Sequence, residues 1–300
     1  MNPLTQEPFK SFENLKFDPF DSNEILLNNS NDPDKNFYNE IQSLDTPYFF
    51  PEELSSDSKK LEIESNFSVL HINIRSMSKS FEAFKRFLHS VGSLFKVLCI
   101  TETWCDETSC ESSLFHLSNY KSVHQVRSTK HKNGKGGGVC IYIHNSLDLT
   151  LRKDLNRNSK NVESISVEII NKNSQNFIIS NIYRPPDGDI NSFDIYLRDL
   201  YSKTYSTSKL LYVTGDLNLN VLDYKNDKVK KMLNTTFEHG LVPVINKPTR
   251  VTRNTASAID HIITNSLLFS KIETGIVKTD ISDHFIIFIL SETPESHNTP

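Results

Sequence analysis

The sequence predicts an α/β fold in which two β-sheets pack face to face and are covered by helices. Predicted strands outnumber predicted helices, and several strands are apolar on both faces. The helical segments instead carry apolar residues at i, i+3 and i+4 spacing. No internal repeat or linker interrupts residues 65–292, so we expect one domain there.

The elements are predicted in chain order from residue 67. The first helix, "SFEAFKRFLHSV", places Phe81, Phe84, Leu88 and Val91 on one face, and the second is "INSFDIYLRDLY". A third, "VKKMLNTTFEHG", has Gly240 as its expected stop. The predicted strands are "FSVLHINI", "FKVLCIT", "GGGVCIYIH", "VESISVEII", "NFIISNIY", "KLLYVTG", "AIDHIITN" and "HFIIFIL". The spacing of the third, fourth and fifth strands is typical of hairpins.

The chain before residue 63 has a different composition. Residues 1–64 hold 5 Lys against 14 Asp and Glu, whereas the remainder holds 28 basic against 23 acidic residues. We therefore expect an acidic, largely disordered leader over 1–62, a domain over 63–292 and a polar tail over 293–300. Residues 38–54 are rich enough in aromatics to dock on a surface.

Composition also limits the class of protein. Apolar runs such as "FIIFIL" are too short to span a bilayer, and no secretory signal is evident, so we expect an intracellular protein without a membrane partner. The four cysteines fit no disulfide or zinc pattern. A mildly basic body permits a polyanionic partner without requiring one.

Polar side chains recur at the ends of these apolar strands. Alternation along "TGDLNLN" predicts that Asp216 and Asn218 point to the same side, although a loop in which Asx side chains bond to their own backbone is an alternative. Buried carboxylates need partners, and a divalent cation or an imidazole would supply them. Such groups occur at Asn73, Glu102, Tyr183, Asp216, Asn218, Asp260, Asp283 and His284.

These motifs, in order, resemble the endonuclease/exonuclease/phosphatase superfamily. "LHINIRSM", "ITETW", "KGGGVCIYI", "NIYRPP", "TGDLNLN", "AIDHIITN" and "SDHFII" are most similar to the apurinic-endonuclease-like nuclease domain of non-LTR retrotransposons. The resemblance covers about residues 65–290. It implies a four-layer α/β sandwich with its site at one end of the two sheets.

The resemblance also implies residue roles. Glu102, with support from Asn73, would hold Mg²⁺ or Mn²⁺, and Asp283 would lie beside the metal. Tyr183 and Asn218 would bind the scissile phosphate, while Asp216 orients or deprotonates water. His284 would contact the phosphate or act as base, with Asp260 fixing its tautomer.

Basic residues near the motifs are candidates for DNA contacts. Those in the loop "RSTKHKNGKGGG" could equally lie in a solvated hairpin. The candidates are Arg75, Arg127, Lys130, Lys132, Lys135, Arg184, Arg250 and Arg253.

Three functions remain open from the sequence. The first is a metal-dependent DNA endonuclease that nicks one strand, located in the nucleus and associated in full-length relatives with a reverse transcriptase domain or element RNA. The second is a phosphatase or phosphodiesterase acting on inositol or lipid phosphates. The third is a non-catalytic, nucleic-acid-binding remnant, which would have no need for buried carboxylates.

Overall fold

The computed structural model describes residues 15–16, 44–56, 67–127, 136–171, 175–205, 209–265 and 272–291. Its main helices are α1 (Met77–Val91), α2 (Ile190–Tyr205) and α3 (Asp227–Glu238), and residues 51–56 are also helical. The strands are β1 (Tyr48–Phe49), β2 (Phe67–Asn73), β3 (Val97–Thr101), β4 (Tyr120–Gln125), β5 (Val139–His144), β6 (Asp148–Leu151), β7 (Arg157–Asn158), β8 (Glu163–Ile170), β9 (Phe177–Tyr183), β10 (Leu210–Asp216), β11 (Val242–Pro243), β12 (Arg250–Val251), β13 (Ala256–Ser257), β14 (Asp260–Thr264), β15 (Ile272–Val277) and β16 (Ile286–Ser291).

Two mixed sheets form the centre of the fold. The first has the strand order β1-β15-β16-β2-β3-β5-β4, and the second has the order β11-β14-β10-β9-β8-β6 with β7 beside β8. Apolar side chains from both sheets interlock between them, including Val69, Ile141, Val167 and Tyr212. Strands buried on both faces explain why these segments are apolar throughout.

Helices cover the outer face of each sheet. Phe81, Phe84 and Val91 of α1 pack on the first sheet, as the helical spacing predicts. Phe193 of α2 and Met232 of α3 pack on the second. The predicted four-layer α/β sandwich is therefore confirmed.

The third helix begins two residues before the predicted segment and ends just before the predicted stop at Gly240, and local chemistry explains both ends. The side chain of Asn226 accepts a hydrogen bond from the backbone N–H of Lys228 at 3.0 Å, which caps the first turn. Gly240, at φ +68°, takes the left-handed conformation that commonly follows a helix.

Residues 44–56 belong to the folded domain, which differs from the boundary predicted at residue 63. Strand β1 pairs in parallel with β15, the Thr46 hydroxyl donates to the Val244 carbonyl at 3.1 Å, and Leu54 is fully buried. The aromatic segment of the leader thus docks on the first sheet. Residues 57–66, most of 1–43 and the predicted tail over 293–300 lie outside the described residues.

The strand pairing corrects one further expectation. Strands β8 and β9 do form the predicted antiparallel pair, but β5 lies in the first sheet between β3 and β4. The hairpin spacing failed there because the short strand β6 follows β5 and pairs with β8 in the other sheet. No helix among the described residues is long and apolar enough to cross a membrane.

Candidate active site

Strands from both sheets end at the same place. Asp216, the last residue of β10, lies opposite Asp260 on β14 and opposite Tyr183 on β9. Asn73 ends β2 in the first sheet, and its Nδ2 atom donates to Asp216 Oδ2 across the sandwich at 2.8 Å. The sheet packing therefore brings polar residues from distant motifs into one site, as predicted.

Glu102 shares the same amide group. Asn73 Nδ2 also donates to Glu102 Oε1 at 3.1 Å, and Trp104 Nε1 donates to Glu102 Oε2 at 2.9 Å. Glu102 follows β3 with φ +52°, a conformation that is unusual for a residue with a side chain and is common at functional sites. This role of Trp104 was not predicted from the sequence, because nothing in "ITETW" indicates that the indole turns back toward Glu102.

Asp216 is buried, and the residue before it, Gly215, lies where only a glycine fits. A Cβ on Gly215 would collide with the carbonyl oxygen of Ile182 on β9. Burial and the nearby charge of Asp260 raise the pKa of Asp216, against the lowering effect of His284 and of hydrogen bonds from Asn218 and Asn73. A carboxylate with a raised pKa is suited to accept a proton near neutral pH.

Asp216 and Asn218 are related by a turn and not by strand alternation. The strand ends at Asp216, and Asn218 has φ +48°. The backbone N–H of Asn218 donates to Asp216 Oδ1 at 3.0 Å, and its Nδ2 donates to the Arg184 carbonyl at 2.9 Å. The alternative Asx interpretation is therefore correct for the local geometry, and it fixes the orientation of the Asp216 carboxylate.

Asp260 and His284 form the predicted dyad. His284 Nδ1 lies 2.9 Å from Asp260 Oδ2 and 3.1 Å from Oδ1, and the Thr249 hydroxyl donates to Oδ2 at 2.6 Å. Burial alone would lower the pKa of His284, but the charge and hydrogen bond of Asp260, with Asp216 and Asp283 nearby, raise it to about 9. Burial alone would raise the pKa of Asp260, yet His284 and Thr249 lower it.

Two other histidines near Asp260 behave differently. His71 Nδ1 is 3.9 Å from Asp260 Oδ1, and burial lowers the pKa of His71 to about 4. His261 points to the other face of β14, as alternation predicts, and its Nε2 atom lies 2.9 Å from the Leu219 carbonyl. Of these three histidines, only His284 combines a short contact to Asp260 with a raised pKa.

Tyr183 is flanked by a buried ion pair, Arg127 and Glu163. Arg127 Nε contacts Glu163 Oε1, and its guanidinium carbon lies 5.6 Å from the centre of the Tyr183 ring. The other Glu163 oxygen accepts the backbone N–H of Gly138 at 2.5 Å. Burial and the charges of Glu102 and Asp216 raise the pKa of Tyr183, so its hydroxyl stays protonated and can donate a hydrogen bond.

Several predicted DNA-contact residues are placed differently from the expectation. Arg184 is 1% exposed, and its guanidinium donates to the carbonyls of Leu217 at 3.3 Å and Gly188 at 2.5 Å. It braces the turn beneath the site and cannot contact DNA from there, so that prediction is wrong. Arg127 is engaged with Glu163, and Arg253 is exposed in the β12–β13 turn. Lys130, Lys132 and Lys135 lie outside the described residues.

Asp283 faces two arginines. Its Oδ2 atom accepts from Arg75 Nη1 at 2.8 Å and from Arg250 Nε and Nη2 at 2.8 and 2.7 Å. The resemblance places Asp283 beside a metal, but its contacts here are with cations. Repulsion between two guanidinium groups and a divalent ion disfavours a metal at that oxygen.

The remaining donors fit a hard divalent cation. Glu102 and Asp216 both present carboxylate oxygens to Asn73 Nδ2, and carboxylate oxygens suit Mg²⁺. Among the described residues, Asp216, Asp260 and His284 also have ligand atoms within 4.8 Å of one another. His284 Nδ1 and Asp260 already satisfy each other, so Glu102 is the better-placed ligand, with Asn73 in support through its hydrogen bond to the Glu102 carboxylate.

A four-layer sandwich with clustered carboxylates and a His–Asp dyad at its strand ends is an arrangement suited to hydrolysis. Residues 70–284 match the Endonuclease/Exonuclease/phosphatase family. The chain therefore belongs to this family. The comparison with curated proteins gave no sequence match.

Solved structures share the fold at low sequence identity. The endonuclease domain of TRAS1, a telomere-specific non-LTR retrotransposon, is 17% identical with a TM-score of 0.53, covering 75% of this chain and 97% of that one. An AP endonuclease from Leishmania major is 15% identical with a TM-score of 0.63, covering 85% and 98%. The catalytic domain of human Nocturnin is 14% identical with a TM-score of 0.57, covering 77% and 94%.

Proposed function

We propose that the protein is an Mg²⁺-dependent DNA endonuclease of the retrotransposon type, which nicks one strand by water attack on a phosphodiester. The main support is the side-chain amide of Asn73, which donates hydrogen bonds to both Glu102 and Asp216. Asp216 in turn lies directly opposite Asp260 of the Asp260–His284 dyad on the neighbouring strand. The likeness to the TRAS1 endonuclease domain and to an AP endonuclease supports DNA as the substrate.

Glu102 and Asn73 would hold the cation. Bound there, Mg²⁺ would neutralise the charge that develops on the phosphate, and Mn²⁺ could replace it. Trp104 keeps the Glu102 carboxylate oriented through its 2.9 Å hydrogen bond. Removing the Glu102 charge should therefore abolish cleavage.

Asp216 would take the proton of the attacking water. Its raised pKa makes it a competent proton acceptor near neutral pH, and the Asn218 N–H fixes the direction of its carboxylate. The neighbouring Asp260 cannot take this role, because both of its oxygens contact His284.

His284 would act as a cation that donates to the phosphate. With a pKa of about 9 it is protonated at neutral pH, and Asp260 engages Nδ1, which leaves Nε2 for the substrate. Between the two roles expected from the sequence, this charge state favours phosphate binding over general base catalysis. Tyr183 and Asn218 would donate further hydrogen bonds to the phosphate.

Paired assays test the substrate class. Supercoiled plasmid should be converted to the nicked circle in Mg²⁺, with no phosphate released from inositol or lipid phosphates under the same conditions. Phosphate release without nicking would favour the phosphatase alternative. Plasmid binding without either reaction would favour a non-catalytic remnant. On this proposal the enzyme works in the nucleus and supplies a nick that a reverse transcriptase could extend.

A further inference from the structure

Asp283 binds two arginines at the solvent-exposed edge of the candidate active site. We call Arg75, Asp283 and Arg250 the arginine clamp. One carboxylate oxygen accepts one N–H from Arg75 and two from Arg250, all at 2.7–2.8 Å. The side chains of Arg75, Arg250 and Asp283 are 49%, 37% and 27% exposed, so both guanidinium groups reach solvent.

Both arginines are attached to residues of the candidate active site. The backbone N–H of Arg75 donates to Asn73 Oδ1 at 3.1 Å, and Arg75 has φ +48°, a strained conformation that a nearby ligand-binding role would explain. Arg250 is bridged through its backbone to His284, and Thr249 beside it holds Asp260. The clamp is therefore fixed relative to both the Asn73 end and the dyad end of the site.

The clamp has a net positive charge and spare donors. Each guanidinium has five N–H groups, and Asp283 accepts one from Arg75 and two from Arg250. No other acceptor for these groups occurs in the part of the chain that the structure describes.

We infer that the arginine clamp is a subsite for a DNA phosphate next to the scissile one, with Asp283 as the positioning residue for both arginines. This inference rests on the proposed function for the identity of the substrate. Paired guanidinium groups match the oxygens of a phosphate diester, and they need an acceptor such as Asp283 to keep them parallel and close despite their like charge.

The Asp283→Ala variant tests whether Asp283 positions the two arginines or affects DNA binding only through its negative charge. Removing an acidic residue from a DNA-binding surface should tighten binding, yet the subsite predicts about fivefold to tenfold weaker binding, because the two arginines lose their anchor. Asp280 is the matched control: it is exposed, lies three residues upstream, and has no arginine contact in the described chain. Asp280→Ala should leave the affinity unchanged or slightly higher.

Salt dependence identifies the ligand as a phosphate. The affinity for a duplex oligonucleotide in EDTA is measured by fluorescence anisotropy across a salt series. The double variant Arg75→Gln with Arg250→Gln should reduce the slope of log K against log salt by about one, because the two arginines share one phosphate, and each single variant should reduce it by less. Arg198→Gln is the matched control, because Arg198 is also paired with carboxylates, those of Asp194 and Glu238, but lies on the outer helix layer.

Metal binding tests the alternative role of Asp283. Its Oδ1 atom is buried without a partner among the described residues, and this is the oxygen that could bind a metal. Mn²⁺ titration without DNA should give equal affinity for wild type and Asp283→Ala, and loss of affinity for Glu102→Gln. Weakened Mn²⁺ binding by Asp283→Ala, or unchanged salt slopes in the arginine variants, overturns the subsite. If wild type binds DNA with these slopes but never nicks it, the proposed endonuclease fails and the subsite stands.

Discussion

Two arginine–carboxylate clusters flank the candidate active site, and they differ in burial. The Arg127–Glu163 pair is 11% and 1% exposed and packs against Tyr183 from the second sheet. The arginine clamp is open to solvent on the side of the first sheet. On the proposed function, the buried pairing orients the ring of the candidate phosphate ligand Tyr183, and the exposed pairing supplies charge to the substrate.

The largest difference is expected in stability. Glu163→Gln leaves Arg127 without a counter-ion in a buried position, so the free energy of unfolding should fall by about 3 kcal/mol. Asp283→Asn breaks contacts that are screened by water and should cost about 1 kcal/mol or less. Denaturant titrations of the two variants measure this. Equal losses would mean that burial does not separate the clusters.

A double substitution separates stability from activity in the buried pair. Glu163→Gln with Arg127→Met removes both charges, and stability should return toward wild type because no buried charge is left unpaired. Nicking should stay slow by roughly tenfold to a hundredfold, since Tyr183 loses the cation that packs on its ring. The measurement is single-turnover nicking beside thermal unfolding. Full recovery of the nicking rate would show that Arg127 does not position Tyr183.

The pH profile of nicking tests which of the two clusters affects the pKa of His284. If protonated His284 is needed, nicking should fall as pH rises through about 9. Loss of a nearby negative charge disfavours the imidazolium, so the alkaline limb should move to lower pH, most in Asp260→Asn and less in Asp283→Asn. Glu163→Gln should leave the limb unmoved. An alkaline limb at the same pH in Asp260→Asn would contradict the assignment of His284.

The smallest effect is expected outside both clusters. His261→Gln keeps a polar side chain toward the Leu219 carbonyl on the far face of β14. Single-turnover nicking by folded protein should stay within about twofold of wild type, whereas His284→Ala should lose about a hundredfold or more. A His261→Gln variant as inactive as His284→Ala would place the wrong histidine in the site.

Much of this arrangement could be predicted from periodicity. Alternation along β14 correctly put Asp260 and His261 on opposite faces, and the apolar spacing of α1 correctly gave its buried side. Strand ends were informative because polar residues interrupt otherwise apolar segments, as at Asn73 and Asp216.

Tertiary contacts between distant residues could not be predicted. Arg184 adjoins Tyr183 and looked like a surface cation, but its burial depends on carbonyls brought close by the turn at Leu217. Arg127 and Glu163 are 36 residues apart and meet only through the packing of the sheets. The mixed pattern of β15 has too few apolar residues to indicate a strand until β1 and β16 pair with it.

The proposed metal-dependent nuclease site is tested most directly by single-turnover nicking of supercoiled plasmid by wild type and Glu102→Gln, each in Mg²⁺ and in EDTA. Glu102→Gln keeps the shape and the Asn73 and Trp104 neighbours of the side chain while removing its charge. We expect rapid nicking by wild type in Mg²⁺ and a loss of at least about a hundredfold in the other three reactions. Undiminished nicking in EDTA, or by Glu102→Gln in Mg²⁺, would contradict a metal-dependent nuclease site centred on Glu102.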